Sequence, residues 1–389
     1  MAHVVEFHID NLAGRRDRVS YRLNRDVNVF WGLNGSGKTS LLKILHSALT
    51  NDAGPILRVP FDRAEVHIYS VTHEREFIRT FDMPKSSVER REYIHHQKMG
   101  SEVNREAFLE YPEERIWWKT VPGRSAGADS RYEHRYLPIT RLSEGMGRRG
   151  YARPLREMLD EAHFDKLFAE EIQSLWRSFY TQSLVAIREI QEEGLAEVLN
   201  LVLVGERPGR APKPKAMADE RAAYDAVRKF LAQQHGGRSR RIGFKNFAKR
   251  FQSEKMVQEV VTKIDSTVSE IERVQEPQRR LESLISDMLS QGKELSIAGG
   301  ELVVKAKDDV ISLESLSSGE KQLLRILLEC LAAGPSSVII DEPELSMHVD
   351  WQHRLIESMQ TVNSSAQLII ATHSPEVMAR IPDDRIMQL

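Results

Sequence analysis

Gly32-Leu33-Asn34-Gly35-Ser36-Gly37-Lys38-Thr39-Ser40 sets three glycines, a lysine and hydroxyls at the spacing a phosphate-holding P-loop needs. Glycine lets the backbone fold back without a Cβ clash, so that successive N–H groups converge on a polyphosphate. A helix opening at the end of the turn adds its dipole and its unpaired donors. Lys38 supplies a point charge to the outer phosphates, and the Thr39 hydroxyl is placed to ligate a magnesium ion. Toward the other end of the chain, the apolar run Ser337-Val338-Ile339-Ile340 ends in Asp341-Glu342, and Gln367-Leu368-Ile369-Ile370-Ala371-Thr372 ends in His373. Ser317-Ser318-Gly319-Glu320 opens a strongly apolar helix, a second N-terminus ready to accept an anion.

These residues meet only if the apolar runs lie side by side. In a parallel sheet, side chains at the carboxyl ends of the strands line the ligand crevice, so Asp341, Glu342 and His373 are expected around the phosphates held by the loop. Val27 to Trp31 reads as the buried strand entering the loop, and residues 3–9 and 18–30 as strands leading to it, with Asn11 to Gly14 as turn material. Residues 64–71 and 76–81 alternate as a small antiparallel hairpin. Residues 84–135 are polar and irregular, with Trp117-Trp118 their one dense aromatic point. Arg135-Tyr136-Leu137-Pro138 reads as a short strand ending in a turn. From Pro154 to about Ala298, apolar residues recur at three- and four-residue steps, which predicts amphipathic helices forming a compact lobe or a short arm. Residues 205–215 break that pattern.

The predicted fold is therefore α/β: a P-loop head with a mixed sheet, an N-terminal antiparallel β part and a large, mostly helical insertion. The expected division is 1–150 for the N-terminal part of the head, 151–300 for the helical lobe and 301–389 for the C-terminal part of the head.

Composition sets limits. At 389 residues the chain exceeds what one core usually holds, and 41% hydrophobic with 29% charged residues is an ordinary globular balance. Cys330 is the single cysteine, which excludes a disulfide framework and a Cys-based zinc site within one chain and fits a cytoplasmic location. No run reaches the ~18 apolar residues of a membrane span, and the N-terminus has no signal-peptide pattern, so a fused membrane domain is not expected. Charge is uneven: Gly205 to Lys255 holds 14 Lys or Arg against 5 Asp or Glu. Within it, 238–251 interleaves basic residues with Phe244, Phe247 and Phe251. Two readings stand open there: a phosphate-backbone contact surface for nucleic acid, or the solvated face of an amphipathic helix whose phenylalanines are core.

In this order, the motifs resemble those of the ABC-type ATPases, and more closely the soluble branch with SMC-like and overcoming-lysogenization-defect proteins. The resemblance covers residues 1–50 and 310–389. It implies that Gly32, Asn34, Gly35, Ser36, Gly37, Lys38, Thr39 and Ser40 form a Walker A motif binding ATP. Leu316-Ser317-Ser318-Gly319-Glu320 matches the signature in its soluble form, implying that Ser317, Ser318, Gly319 and Glu320 reach the γ-phosphate held by the opposite subunit. Thr39 and Asp341 would hold Mg²⁺, Glu342 would act as the catalytic glutamate, Leu345 to His348 would be the D-loop and His373 the switch histidine. Leu137-Pro138-Ile139-Thr140-Arg141 stands in the region of the Q-loop. One P-loop and one signature per chain imply a head-to-tail homodimer closing on two ATP molecules, open to a larger assembly.

Two functions compete at this stage. One is an ATP-driven switch or sensor subunit of a bacterial antiphage defence complex with a separate effector, a nuclease or toxin, since a built-in Toprim nuclease domain is not expected in this chain. The other is an SMC-like DNA-binding ATPase of repair or maintenance, using 238–251. A transport subunit is disfavoured by the insertion and the soluble-type signature.

Overall fold

The computed structural model describes residues 1–84, 118–122, 130–138, 161–204, 219–234, 243–289, 292–298, 300–306 and 309–389. In chain order these form β1 (Ala2–Asp10), β2 (Arg18–Arg22), β3 (Val27–Trp31), α1 (Lys38–Thr50), β4 (Arg63–Ser70), β5 (Arg75–Asp82), β6 (Lys119–Val121) and β7 (Arg135–Leu137). The helices α2 (Glu161–Val204), α3 (Glu220–Gln234), α4 (Phe244–Ser253) and α5 (Lys255–Met288) follow. Then come β8 (Lys293–Ala298), β9 (Glu301–Ala306), β10 (Asp309–Ile311), α6 (Ser318–Ala332), β11 (Ser337–Asp341), α7 (Val349–Val362), β12 (Gln367–Thr372), α8 (Pro375–Met378) and β13 (Ile386–Gln388). The chain clusters into two compact units, one of Met1–Leu175, Leu281–Ala298 and Leu302–Leu389, the other of Trp176–Arg280 with Gly299–Glu301.

The first unit is built on a sheet of order β13-β3-β12-β11-β7 in which every pairing is parallel. Every residue of β11 and β12 is buried, as expected of strands covered on both faces, which read as unbroken apolar runs rather than alternating ones. An antiparallel sheet of order β2-β1-β4-β5-β6 and a three-stranded sheet β10-β9-β8 complete it. The parallel and antiparallel pairings expected from the sequence are thus distributed over separate sheets, and the predicted hairpin is β4–β5.

Helix α1 joins the two larger sheets into one core. Leu41, Leu42, Ile44, Leu45 and Ala48 are buried with Phe7 and Val66 of the antiparallel sheet and Phe30, Ile339 and Ile369 of the parallel one. Each of the buried Leu, Ile, Val and Phe side chains contributes about 1.5–3 kcal/mol. Burial therefore fixes the start of α1, and with it the glycine loop, over the carboxyl end of β3.

Strand β1 changes face partway. Its pairing with β4 shifts register between Val4 and Glu6, so Ala2 and Val4 point into the core before the shift and Phe7 and Ile9 after it. Gln367 holds this bulge: its side chain accepts from the Val4 N–H at 2.9 Å and donates to the Val4 carbonyl at 2.7 Å.

In the second unit, Phe230 of α3, Phe247 and Phe251 of α4 and Val261, Ile264 and Val268 of α5 form a separate core. The helical pattern ends earlier than the Ala298 read from the sequence. Gly292, at φ +69°, turns the chain out of the helix region and Lys293–Ala298 is a strand, its Leu295 buried.

Candidate active site

The loop after β3 closes through two glycines in the left-handed region, Gly35 at φ +86° and Gly37 at φ +102°. Gly32 is required by space: a Cβ there would stand 2.4 Å from the Leu389 carbonyl oxygen and 2.8 Å from the Ser36 hydroxyl. Gly37 caps α1 with no side-chain hydrogen bond, so the first turn presents its N–H groups as an anion site. Asn34 is exposed, Thr39 and Ser40 are half-buried, and Ser36 Oγ is buried without a hydrogen-bond partner. Lys38, 5% exposed, donates from Nζ to the carbonyls of Gly32 at 2.7 Å and Leu33 at 3.3 Å.

The parallel register brings the distant residues to the same end. Asp341 pairs with Ala371 across β11 and β12, and Thr372 with Trp31 across β12 and β3, so Asp341, His373 and the loop all follow strand carboxyl ends. Asp341 is fully buried, and neither carboxylate oxygen has a hydrogen-bond partner. Burial pushes its carboxyl above the usual range; the nearby Thr39 hydroxyl and the Lys38 and Lys43 charges reduce the rise without cancelling it.

Glu342 adopts φ +50°, a conformation that costs a non-glycine residue about 1–3 kcal/mol and is held by its N–H donating to the Ala371 carbonyl at 2.8 Å. This turn aims its carboxylate at two partners. Oε1 lies 3.8 Å from Lys38 Nζ, and Oε2 contacts His373 Nδ1. Burial, then the neighbouring Glu344 carboxylate, push Glu342 up; His373 opposes them.

Glu344 is the residue that sequence reading left without a role. Buried, it accepts from the Thr372 hydroxyl at 2.6 Å and the backbone N–H groups of His373 at 3.1 Å and Ser374 at 3.2 Å, and it lies 3.3 Å from His373 Nδ1. It therefore fixes the backbone that carries His373. Its signal was present as the third acid of Asp341-Glu342-Pro343-Glu344, just past the strand end.

The expected signature residues stand at the start of α6. Ser317 and Ser318 are exposed, and Ser317 is the N-cap. Glu320 is buried: it accepts from the Ser317 N–H at 2.8 Å in a capping box and from Lys293 Nζ at 2.9 Å, so its carboxylate serves the helix end. Gly319 lies against the segment read as the D-loop, where a Cβ would come 2.6 Å from the Ser346 carbonyl oxygen. His348 caps α7, its Nδ1 accepting from the Asp350 N–H.

The nucleotide and magnesium fit these residues on the structure's own terms. An orphaned buried carboxylate beside a hydroxyl suits a hard cation with oxygen ligands, and a left-handed glycine loop before an uncapped helix suits phosphate. Cys330 is buried, its thiol pushed up to about 12, and takes no part.

Of the basic stretch, 238–242, including Arg240 and Arg241, lies outside the described residues, as do 205–215, Ile139 to Arg141 and Trp117. In α4, Phe247 and Phe251 are core, Lys245 and Lys249 face outward, and Arg250 pairs with Glu254 at 2.8 Å. Among the described residues no helix is long and apolar enough to cross a membrane.

Residues 184–379 match the family described as "AAA domain, putative AbiEii toxin, Type IV TA system", and residues 6–121 a second family described as "AAA domain". The chain is 27% identical over 122 residues to the retron Vc95 probable ATPase of Vibrio cholerae serotype O1 biovar El Tor, covering 28% of this chain and 24% of that protein. It is 28% identical over 102 residues to the retron Ec83 probable ATPase of Escherichia coli, covering 23% of this chain and 19% of that protein. The chain thus spans a quarter or less of these relatives. Among solved structures, it resembles the Smc head domain with an extended coiled coil bound to the C-terminal domain of ScpA from Pyrococcus furiosus, at TM-score 0.40, 11% identity and coverage of 97% of this chain and 92% of that one.

Proposed function

Since the chain belongs to the AAA-domain family described as "putative AbiEii toxin, Type IV TA system", we propose that it binds ATP at the Gly32–Ser40 loop and hydrolyses it to ADP and phosphate. The observation that carries this reading is the fully buried Asp341 carboxylate, both oxygens unpartnered, beside the Thr39 hydroxyl. Thr39 and Asp341 would hold Mg²⁺, which when bound neutralises charge on the phosphates. The loop N–H groups and Lys38 bind the phosphates; Lys38 exchanges its Gly32 and Leu33 carbonyls for phosphate oxygens. Glu342 orients the attacking water and accepts its proton, a task suited by the raised proton affinity that burial and Glu344 give it. His373, anchored by Glu344, keeps Glu342 in place and faces the γ-phosphate.

The exposed Ser317 and Ser318 support the further proposal that α6 completes the site of a second copy, giving a head-to-tail homodimer that closes on ATP and opens after hydrolysis. The similarity to retron probable ATPases supports a role as a switch or sensor subunit holding a separate effector in an antiphage complex. The test is to copurify tagged Glu342→Gln protein from its native operon, with ATP and Mg²⁺, and weigh the complex. A nuclease or toxin in fixed stoichiometry on a dimer of this chain is expected. A strictly monomeric protein with no companion would sink both proposals, and nucleic acid stripped by high salt would shift the reading to an SMC-like DNA clamp.

A further inference from the structure

A second cluster of chemistry-bearing residues lies on the outward face of the antiparallel sheet, and the ATP site makes no use of it. His8 of β1 sits directly across from Glu65 of β4, and Glu6 across from His67. The register shift after Val4 is what turns Glu6 and His8 outward while Phe7 and Ile9 enter the core. His8, Glu65 and His67 each offer a ligand atom within 4.8 Å of the other two. The imidazole rings stand edge to face, centroids 5.8 Å apart.

We propose that His8, Glu65 and His67 form a binding site for a divalent transition ion of the zinc class, placed on rigid strands and separate from the nucleotide site. The hydrogen bonds behind the rings support it. His67 Nδ1 is 2.7 Å from Glu76 Oε1, and His8 Nδ1 is 2.9 Å from Ser20 Oγ. With each Nδ1 held, each Nε2 is the atom turned to the cluster: that of His67 is hydrogen-bonded to Glu65 Oε1 at 3.1 Å and that of His8 pairs with Glu6 Oε1 at 3.3 Å, contacts that an ion would replace. An acid or hydroxyl on Nδ1 with Nε2 facing a cluster is the outer arrangement that orients metal-binding histidines. Glu65 keeps Oε1 for the ion, since its Oε2 faces Arg63 at 3.9 Å. Glu6 borders the patch through its 3.3 Å contact with His8.

Tetrahedral zinc, with bonds of about 2.0–2.2 Å, needs ligand atoms roughly 3.4 Å apart, so closure asks the ligand atoms, now within 4.8 Å of one another, to move by about an ångström. Imidazole nitrogens favour zinc, copper, nickel and iron over magnesium, which separates this site from Thr39 and Asp341 by metal as well as by place. Glu6, Glu65 and Glu76 give the two imidazoles anionic neighbours, which draws a dication to the patch even with Arg63 beside Glu65. An ion here pins β1 to β4, and through Ser20 it steadies β2.

The experiment uses the tag-free, chelator-stripped, nucleotide-free full chain titrated with zinc chloride by calorimetry. One site is expected in the wild type and in Asp341→Asn. In the His8→Gln/His67→Gln variant, affinity should fall at least tenfold. Equal affinity in that variant, or no binding by the wild type, overturns the proposal. A wild-type-only measurement guards against misfolding of the variant: carbethoxylation read by peptide mass, with and without zinc. Protection of His8 and His67, with exposed His348 modified as before, supports the site; unchanged modification of His8 and His67 overturns it.

Discussion

Lys38 Nζ stands 3.8 Å from Glu342 Oε1 while donating to the Gly32 carbonyl at 2.7 Å, so this buried ammonium joins the loop to the acid that follows β11. The two residues are far apart in sequence, and only the parallel pairing of β3, β12 and β11 brings them together.

The pair separates binding from chemistry. Replacing Glu342 with Gln keeps its size and removes the proton acceptor, so phosphate release should fall about 10²–10⁴-fold while ATP affinity stays within a few-fold. Lys38→Ala should instead weaken ATP binding itself. Single-turnover phosphate release and equilibrium nucleotide binding, measured on both variants, check this; comparable loss of binding in both would contradict the assignment.

Asp341 predicts a conflict between stability and function. Its folded-state carboxyl is raised by burial, so the native protein holds that proton more tightly than the unfolded chain, and stability falls as pH rises from the ordinary aspartate range through the raised value. Asp341→Asn removes the buried charge and should raise the melting temperature of the nucleotide-free protein by several degrees. The same variant should lose the further rise that MgATP gives the wild type. Calorimetric scans with and without MgATP show both effects, and a lower melting temperature for the nucleotide-free variant would contradict the first.

Glu320 has the opposite sign. Burial alone would raise it, but Lys293 and the Ser317 N–H and hydroxyl outweigh burial and hold its carboxyl below the ordinary glutamate range. Its stabilisation is therefore complete above that range and is lost as pH falls through the depressed folded value. Lys293→Met should lower the urea midpoint at pH 7 and flatten the further drop on acidification toward ~pH 3. Parallel pH profiles for variant and wild type would show that the pair is not responsible.

Gly319 is a steric requirement. An alanine Cβ would meet the Ser346 carbonyl oxygen at 2.6 Å and Trp351 Cζ3 at 3.2 Å, and backbone cannot yield as a flexible side chain does. Gly319→Ala should cost about 1–3 kcal/mol, read as a lower denaturation midpoint, with the Lys38 loop still able to bind nucleotide. An unchanged midpoint would show that the two segments can part freely.

Much was legible in the chain because it rests on local physics. The glycine spacing before Lys38 and the apolar runs ending in Asp341 and His373 fix a loop, a helix start and two buried strands whatever surrounds them. The β4–β5 hairpin followed from alternation in the same way. Other features are decided by contacts between distant segments, which no local pattern encodes. Glu344 takes its place from the Thr372 hydroxyl and the His373 and Ser374 backbone, and Glu320 is drawn inward by Lys293. The outward turn of His8 depends on a bulge whose Val4 amide and carbonyl are both bonded by Gln367, 363 residues away. Sequence alone set which residues could bind phosphate and marked the strand, loop and helix around Lys38. Tertiary structure decided which carboxylates stay buried and unpaired and which face solvent, because burial and partnering are properties of the packed whole.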